Sequence, residues 1–288
     1  MTFESTVERP VSIAGVGLHS GVKVKMTIRP AKAGTGIVFV RTDLDGFEIP
    51  ANWKYVAKVS YATSLMRQGV LLSTTEHLLS TLYSMRIDNA RIEIDNLEVP
   101  ILDGSGKPFV ELLDQAGRRT LGRQRRYLYV TQRVEVREGE KRILIEPASS
   151  FQLRCDTEFN HPLVGRQTMD IELEPELYAK QIAPARTFGF ERDLEQMREM
   201  GLIRGAGLEN AVCFADSGVL NPGGLRFSDE PCRHKVLDLI GDLALVGRPL
   251  IGRVVAERAG HAMHTALVKK IMADRNCYEI ATAERMVS

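Results

Sequence analysis

His234, Asp238 and Asp242 recur at every fourth position in RHKVLDLIGDL, residues 233–243, a stretch otherwise dominated by Val236, Leu237, Leu239, Ile240 and Leu243. On a helix of 3.6 residues per turn, positions spaced by four stay within an arc of about 80°. A polar stripe on an otherwise apolar helix must meet something polar, because unpaired buried charge is costly. A histidine and an aspartate one turn apart can reach one metal ion, as the two histidines of an HExxH helix do. A second pair, Glu76 and His77, heads another apolar segment, LLSTTEHLLSTLYS, residues 71–84. Adding His77 to His234 and Asp238 makes a set of three nitrogen and oxygen ligands, the protein contribution to a catalytic zinc site with its fourth position left to water. Glu76 is then placed as general base on water whose pKa zinc lowers to about 7.

Each motif has a plainer reading. The HxxxD stripe can be a solvated helix face, which the surrounding apolar residues argue against. The EH pair can be a helix start after Thr74 or Thr75 with a satisfied core histidine. His261, in AGHAMH, can protonate a leaving amine with Asp242 holding its tautomer, or can be an ordinary loop histidine. His264 is expected at the surface. His161 in FNHP and His19 in GVGLHSG have no role that spacing can assign. The glycine-rich turn does not fit GxGxxG and no P-loop is present, which weakens nucleotide-cofactor chemistry.

The elements that must position these groups follow from periodicity. Val22, Val24, Met26 and Ile28 alternate as in a half-buried strand, and glycines punctuate the turns of residues 1–50. Residues 74–86 have helical spacing, Ala90–Ile94 alternates as a strand, and Pro108–Ala116 reads as a helix closed by Gly117. The basic stretch GRRTLGRQRR, residues 117–126, reads as a linker between two domains, residues 1–122 and 127–288. Strands resume at Tyr127–Val136, Arg142–Glu146 and Phe151–Cys155, and short helices are expected after Pro175 and over 191–200. A long helix spans about 230–246, and LIGRVVAERAGH reads as strand and turn. In both halves a histidine opens an apolar helix that a strand follows, which suggests duplicated units whose histidines face one interface.

Composition narrows the function. The chain has 288 residues, 44% of them hydrophobic and 26% charged, with a net charge of +1, so a nucleic-acid polymer is not expected as a partner. No apolar run approaches the length of a membrane span. The opening MTFESTVERPVSIAG lacks a basic region followed by an apolar one, and cytoplasmic location is expected. Cys155, Cys213, Cys232 and Cys277 are far apart and form no CxxC, so they read as reduced thiols, and any metal must take His and carboxylate ligands.

GVGLHSG, STTEHLLSTL, IDNARIEID, VPILDGSGKPF, FNHP, ARTFGF, GLRFSDEPCRHKVLDLIGDL and GHAMH occur in this order between residues 15 and 264. Together they resemble the UDP-3-O-acyl-N-acetylglucosamine deacetylase family (LpxC), zinc amidases of lipid A biosynthesis, over nearly the whole chain. The resemblance implies two α+β domains of similar topology with the active site between them. It implies His77, His234 and Asp238 as zinc ligands, Glu76 as general base, His261 as the cation near the leaving amine with Asp242 as its partner, and Thr187 as an oxyanion donor. It places Lys235, Phe188 and Leu18 along the substrate, Phe159 and His161 near the nucleotide, and Lys141 and Arg258 on the diphosphate. A βαβ insert at about 187–214 would carry Leu194, Met197, Leu202, Ile203, Leu208 and Val212 along an acyl passage, although these positions also suit the packing face of a small helix. The substrate is then a UDP-linked acylated amino sugar, with no obligate protein partner implied. A metal-dependent deacylase of another N-acyl sugar nucleotide and a non-catalytic metal-binding module are the rival readings; a fatty-acyl dehydratase is weakened because it would need no three-ligand metal set.

Overall fold

Val24, Met26 and Ile28 of strand Lys23–Pro30 turn inward and are nearly inaccessible, as their alternation predicts, while Lys23 and Lys25 face solvent. The computed structural model describes residues 2–57 and 61–283. Its six helices are α1 (Glu76–Ser84), α2 (Lys107–Ala116), the single turn α3 (Pro175–Leu177), α4 (Leu194–Glu199), α5 (Glu230–Leu243) and α6 (His261–Ala273).

The strand pairings repeat. In the first half the spatial order is Val11–Val16, Lys23–Pro30, Ala90–Ile94, Ile37–Arg41 and Phe47–Pro50. The strand after α1, Ala90–Ile94, is antiparallel to Lys23–Pro30 and parallel to Ile37–Arg41. In the second half the strand after α5, Leu250–Glu257, is antiparallel to Lys141–Glu146 and parallel to Phe151–Phe159. Hairpins extend both sheets in the same way, Val11–Val16 and Phe47–Pro50 in one, Val134–Glu138 and Gly165–Glu172 in the other. α2 and α6 each follow the central strand of their half. This is the expected α+β organisation in two units of similar topology. The parallel pair in each half requires a crossover, and α1 and α5 lie on those crossovers.

Two expectations change. Residues 118–124 form a strand antiparallel to Phe3–Val7 rather than an irregular linker. Both faces of that strand are largely exposed, so it has no apolar alternation to betray it. Residues beyond the turn at Gly260 form α6, and its His264 is 1% exposed rather than at the surface.

One apolar core runs through both units. Leu78, Leu79 and Leu82 of α1 meet Leu237, Ile240 and Leu243 of α5 in it, and Leu267, Val268 and Ile271 of α6 complete the layer. Burying each such side chain contributes roughly 1.5–3 kcal/mol. A smaller cluster joins Val164, Val212 and Phe214 to Phe159, Phe188 and Phe190.

The crossing of α1 and α5 is set by one glycine. A Cβ on Gly241 would lie 2.8 Å from the carbonyl carbon and 2.9 Å from the Cα of Glu76, both rigid backbone atoms. Gly241→Ala must therefore push the helices apart. The expected cost is about 1–3 kcal/mol of stability, the usual penalty of overpacking, read as a lower urea midpoint. Turnover falls with it, because Glu76 and His77 ride on the displaced helix. An alanine variant as stable and active as its parent would show that the crossing tolerates a methyl group.

Candidate active site

Helix α1 begins under constraint. Thr74, two residues before Glu76, sits at φ +57°, a conformation unusual for a β-branched side chain. Its hydroxyl donates to Glu98 Oε1 at 2.8 Å. The same buried carboxylate accepts the backbone N–H groups of His19 at 2.9 Å and Ser20 at 2.8 Å, tying the glycine-rich turn to the start of α1. Thr75 occupies the cap position without a side-chain capping bond, so helix capping does not explain the EH pair.

His77 from α1 meets His234 from α5 edge to face, with ring centroids 4.8 Å apart. Both are buried. Asp238 Oδ1 lies 3.4 Å from His234 Nε2 and 3.6 Å from His77 Nε2. These separations are long for hydrogen bonds, and Asp238 Oδ1 is a buried atom with no hydrogen-bond partner. Tetrahedral bonds of about 2.0–2.1 Å to one ion require ligand atoms about 3.3 Å apart. His234 Nδ1–H donates to the Ala185 carbonyl at 3.0 Å, which leaves the Nε2 lone pair toward the shared centre. Burial pushes the His234 pKa down to about 3, keeping that lone pair free. Asp238 is held well below the usual carboxylate range: burial opposes ionisation, but Lys235, His234 and His261 outweigh it. The donor set therefore fits a metal ion.

The Ala185 carbonyl is fixed by a buried ion pair next to it. Glu230 Oε1 accepts from Arg186 N at 2.9 Å and Nε at 2.8 Å, and Oε2 accepts from Arg226 N at 2.7 Å. With every oxygen satisfied, the pair holds the 185–187 segment against the start of α5.

A second layer surrounds the ligands. Glu76 is 3% exposed, and its Oε2 accepts the Thr63 backbone N–H at 3.1 Å. Burial raises its pKa to about 7 against the pull of the His261 and His77 charges. His261 opens α6, with Nε2 4.0 Å from Glu76 Oε1 and 3.7 Å from Asp238 Oδ2. Its Nδ1 donates to Asp242 Oδ2 at 2.7 Å. Burial disfavours its cation, yet Asp242 and Asp238 win and raise the pKa to about 9. Asp242 also accepts from His264 Nδ1 at 2.8 Å and from the Thr63 hydroxyl. Thr63 and His264 are site residues that the sequence reading missed. His264 carried a signal, since it follows His261 by three positions, one helical turn. Thr63 carried none. His19 was left without a role, yet both of its ring nitrogens are buried without a partner near the His261 charge.

The other expected positions are spread more widely. Thr187 is half-buried and bonded through its backbone to Gly104 and Val212, which leaves its hydroxyl without a hydrogen bond among the described residues. Lys235 Nζ donates to Asp238 Oδ2 at 2.8 Å and lies 5.7 Å from the Phe188 ring centroid. Leu18 is half-buried in the turn whose backbone accepts from Arg204 and Gly205. Phe159 packs on Phe188, while His161 is buried and stacked on Phe190 at 5.1 Å, inside the small aromatic cluster. Lys141 and His261 share a hollow of about 180 Å³ with Tyr61 and Glu138. Arg258 is tied to Glu140 at 3.0 Å and Glu158 at 3.5 Å. Strands Phe188–Phe190 and Val212–Ala215 are parallel, with α4 between them in the chain. Of the apolar positions there, Val212 and Ile203 are buried, Leu194, Met197 and Leu202 are half-exposed, and Leu208 is exposed.

Residues 4–273 match the model of the family described as LpxC, UDP-3-O-acyl N-acetylglycosamine deacetylase. The chain is 65% identical over 288 residues to the UDP-3-O-acyl-N-acetylglucosamine deacetylase of Solibacter usitatus (strain Ellin6076), covering 100% of this chain and 97% of that protein. It is 47% identical over 283 residues to the protein of the same name in Myxococcus xanthus (strain DK1622), covering 98% of this chain and 90% of the relative.

Proposed function

The chain belongs to the UDP-3-O-acyl-N-acetylglucosamine deacetylase family, and from that membership we propose that it performs the family's hydrolysis with zinc held by His77, His234 and Asp238. It is a deacetylase: it removes acetyl from UDP-3-O-acyl-N-acetylglucosamine, a step of lipid A biosynthesis, and releases acetate and the free amine. The observation that carries the metal assignment is Asp238 Oδ1, buried without a protein partner and faced by two imidazole nitrogens.

Zinc, when bound, supplies Lewis acidity and a lowered pKa for water. The remaining work falls to the chain. Glu76 takes the proton of the attacking water. With burial holding its pKa near 7, it can both accept a proton and return one. His261, kept cationic by Asp242 and Asp238, faces the side where negative charge develops and the amine leaves. Asp242 holds the imidazole in place through Nδ1. The Thr187 hydroxyl donates to the oxyanion, where a preorganised donor stabilises the transition state most. Lys235 and Phe188 border the reacting group, Leu18 and the 187–214 insert flank the acyl chain, and Lys141 and Arg258 lie on the diphosphate side. The two structural repeats correspond in this reading to domains 1–122 and 127–288. No helix among the described residues is long and apolar enough to cross a membrane. The nucleotide-linked substrate places the reaction in the cytoplasm.

Acetate release tests the proposal directly. The purified, zinc-supplied protein is expected to release one acetate per free amine from UDP-3-O-acyl-N-acetylglucosamine. The rate should drop sharply on UDP-N-acetylglucosamine, which lacks the acyl chain. Equal rates on both would move the activity to another N-acyl sugar nucleotide, and no release from either would end the hydrolase assignment.

A further inference from the structure

The far end of α1 faces a second cleft of about 470 Å³, and none of Glu76, His77, His234 or Asp238 lines it. Nine residues rising about 1.5 Å each put Ser84 roughly 12 Å along the axis from Glu76. The cleft lies where the two repeats meet, between the end of α1, the strand starting at Arg126 and the turn before Leu250. Its volume is within the usual range for small-molecule sites.

Its charges do not balance. Five arginines line it, Arg86, Arg123, Arg125, Arg126 and Arg248, against the carboxylates Glu4, Asp88, Glu172 and Glu174. Three arginines are matched: Arg125 with Asp88 at 2.6 Å, Arg86 with Glu174 at 2.7 Å, and Arg123 with Glu4 at 3.3 Å. Among the described residues Arg126, which is exposed, reaches only the Ile280 carbonyl, at 3.4 Å. Arg248 is half-buried and makes no hydrogen bond or ion pair among the described residues. Burial and the neighbouring Arg126 and Arg123 hold its pKa below the usual arginine value. Glu172, the one unmatched carboxylate, is exposed at a strand end. Arg125 also serves the turn after α1, its Nη2 donating to the Arg86 carbonyl at 2.9 Å.

The same wall holds unused hydrogen-bonding groups. Ser84 is among the lining residues, although its Oγ is buried without a partner beneath the surface. The Tyr83 hydroxyl accepts the Leu250 N–H at 2.7 Å, which leaves its own proton to donate. Tyr83, Leu173 and Ile251, each half-buried, supply an apolar side.

We propose that this cleft binds a small molecule with a phosphate group and an apolar body, the phosphate on Arg248 and Arg126 and the body against Tyr83, Leu173 and Ile251. A guanidinium fork suits phosphate oxygens, and two neighbouring forks without a carboxylate partner suit a phosphomonoester better than a carboxylate.

The test uses the zinc-loaded full chain, titrated calorimetrically with n-octyl phosphate and separately with inorganic phosphate. Octyl phosphate is expected to bind saturably. Its affinity should fall at least tenfold in Arg248→Gln and in Arg126→Gln, and stay unchanged in Arg258→Gln, on the catalytic side. Acetate release by Arg248→Gln without octyl phosphate should match the parent, which also shows that the variant is folded. Inorganic phosphate should bind more weakly; equal affinity would remove the apolar body from the assignment. Absence of saturable binding, or binding that survives both Arg248→Gln and Arg126→Gln, would overturn the site. Binding lost in Arg258→Gln alone would place octyl phosphate in the catalytic cleft instead. Only the folding check uses the acetyl-removing reaction; the binding outcomes do not, so this site and the deacetylase reading fail separately.

Discussion

Glu76→Gln is expected to leave a folded, zinc-loaded protein whose turnover on the acylated substrate is lower by about 10²- to 10⁴-fold, the usual contribution of a positioned general base. The substitution keeps the shape of a side chain that is 3% exposed. The amide oxygen can still accept the Thr63 N–H that Glu76 Oε2 accepts at 3.1 Å, so the Thr63 loop stays in place. What disappears is the ability to take a proton. Burial already works against the Glu76 charge, and Asp238 and Asp242 add repulsion, so a neutral amide costs the fold little there. The expected pattern is therefore a fall in kcat with little change in KM, unchanged zinc content and an unchanged unfolding midpoint. Turnover within tenfold of the parent, with zinc bound, would take the base role from Glu76.

The chemistry was legible where its spacing coincided with a structural period. His234, Asp238 and Asp242 recur by four on an apolar helix, and that stripe does face the site. Glu76 and His77 at the head of α1 read equally as a helix start by themselves, and only the HxxxD stripe elsewhere in the chain singles them out. The duplication showed in the shared order of histidine, helix and strand, and the strand pairings repeat it down to which neighbour is parallel. What stayed hidden depends on distance in the chain. Thr63 is 179 positions from Asp242, and Glu98 is 79 from His19, so no local pattern could join them. His264 was misplaced because AGHAMH was read as the end of a turn, whereas it begins α6 and turns its second histidine into the core. Residues 118–124 escaped because an edge strand exposed on both faces obeys no burial alternation. The arginine surplus of the second cleft also needs the fold, since its residues come from both repeats.

His234→Ala is expected to abolish turnover through the metal rather than through the fold, and the two can be separated. The His234 imidazole is anchored through its second nitrogen, Nδ1, by the Ala185 carbonyl at 3.0 Å. Removing it leaves His77 and Asp238 as a two-ligand set and frees a buried carbonyl, at a cost of about 1–3 kcal/mol from the unmet hydrogen bond. That cost alone would lower the unfolding midpoint and say nothing about metal. The decisive comparison is the effect of a chelator. An ion that binds the native state and not the unfolded chain stabilises by about 2.7 kcal/mol at a free concentration one hundred times its dissociation constant. Chelation should therefore lower the midpoint of the parent protein and leave that of His234→Ala unmoved, while zinc content falls from about one per chain toward none. Should His234→Ala retain zinc, a chelator-sensitive midpoint and turnover, the ion must sit elsewhere. The neighbouring cluster of Asp242, His261 and His264 is then the next site to test, since its ligand atoms also lie within 4.8 Å of one another. The His77 set is better suited to an ion. The Asp242 oxygens are already taken by Thr63, His261 and His264, whereas Asp238 Oδ1 has no partner in the protein.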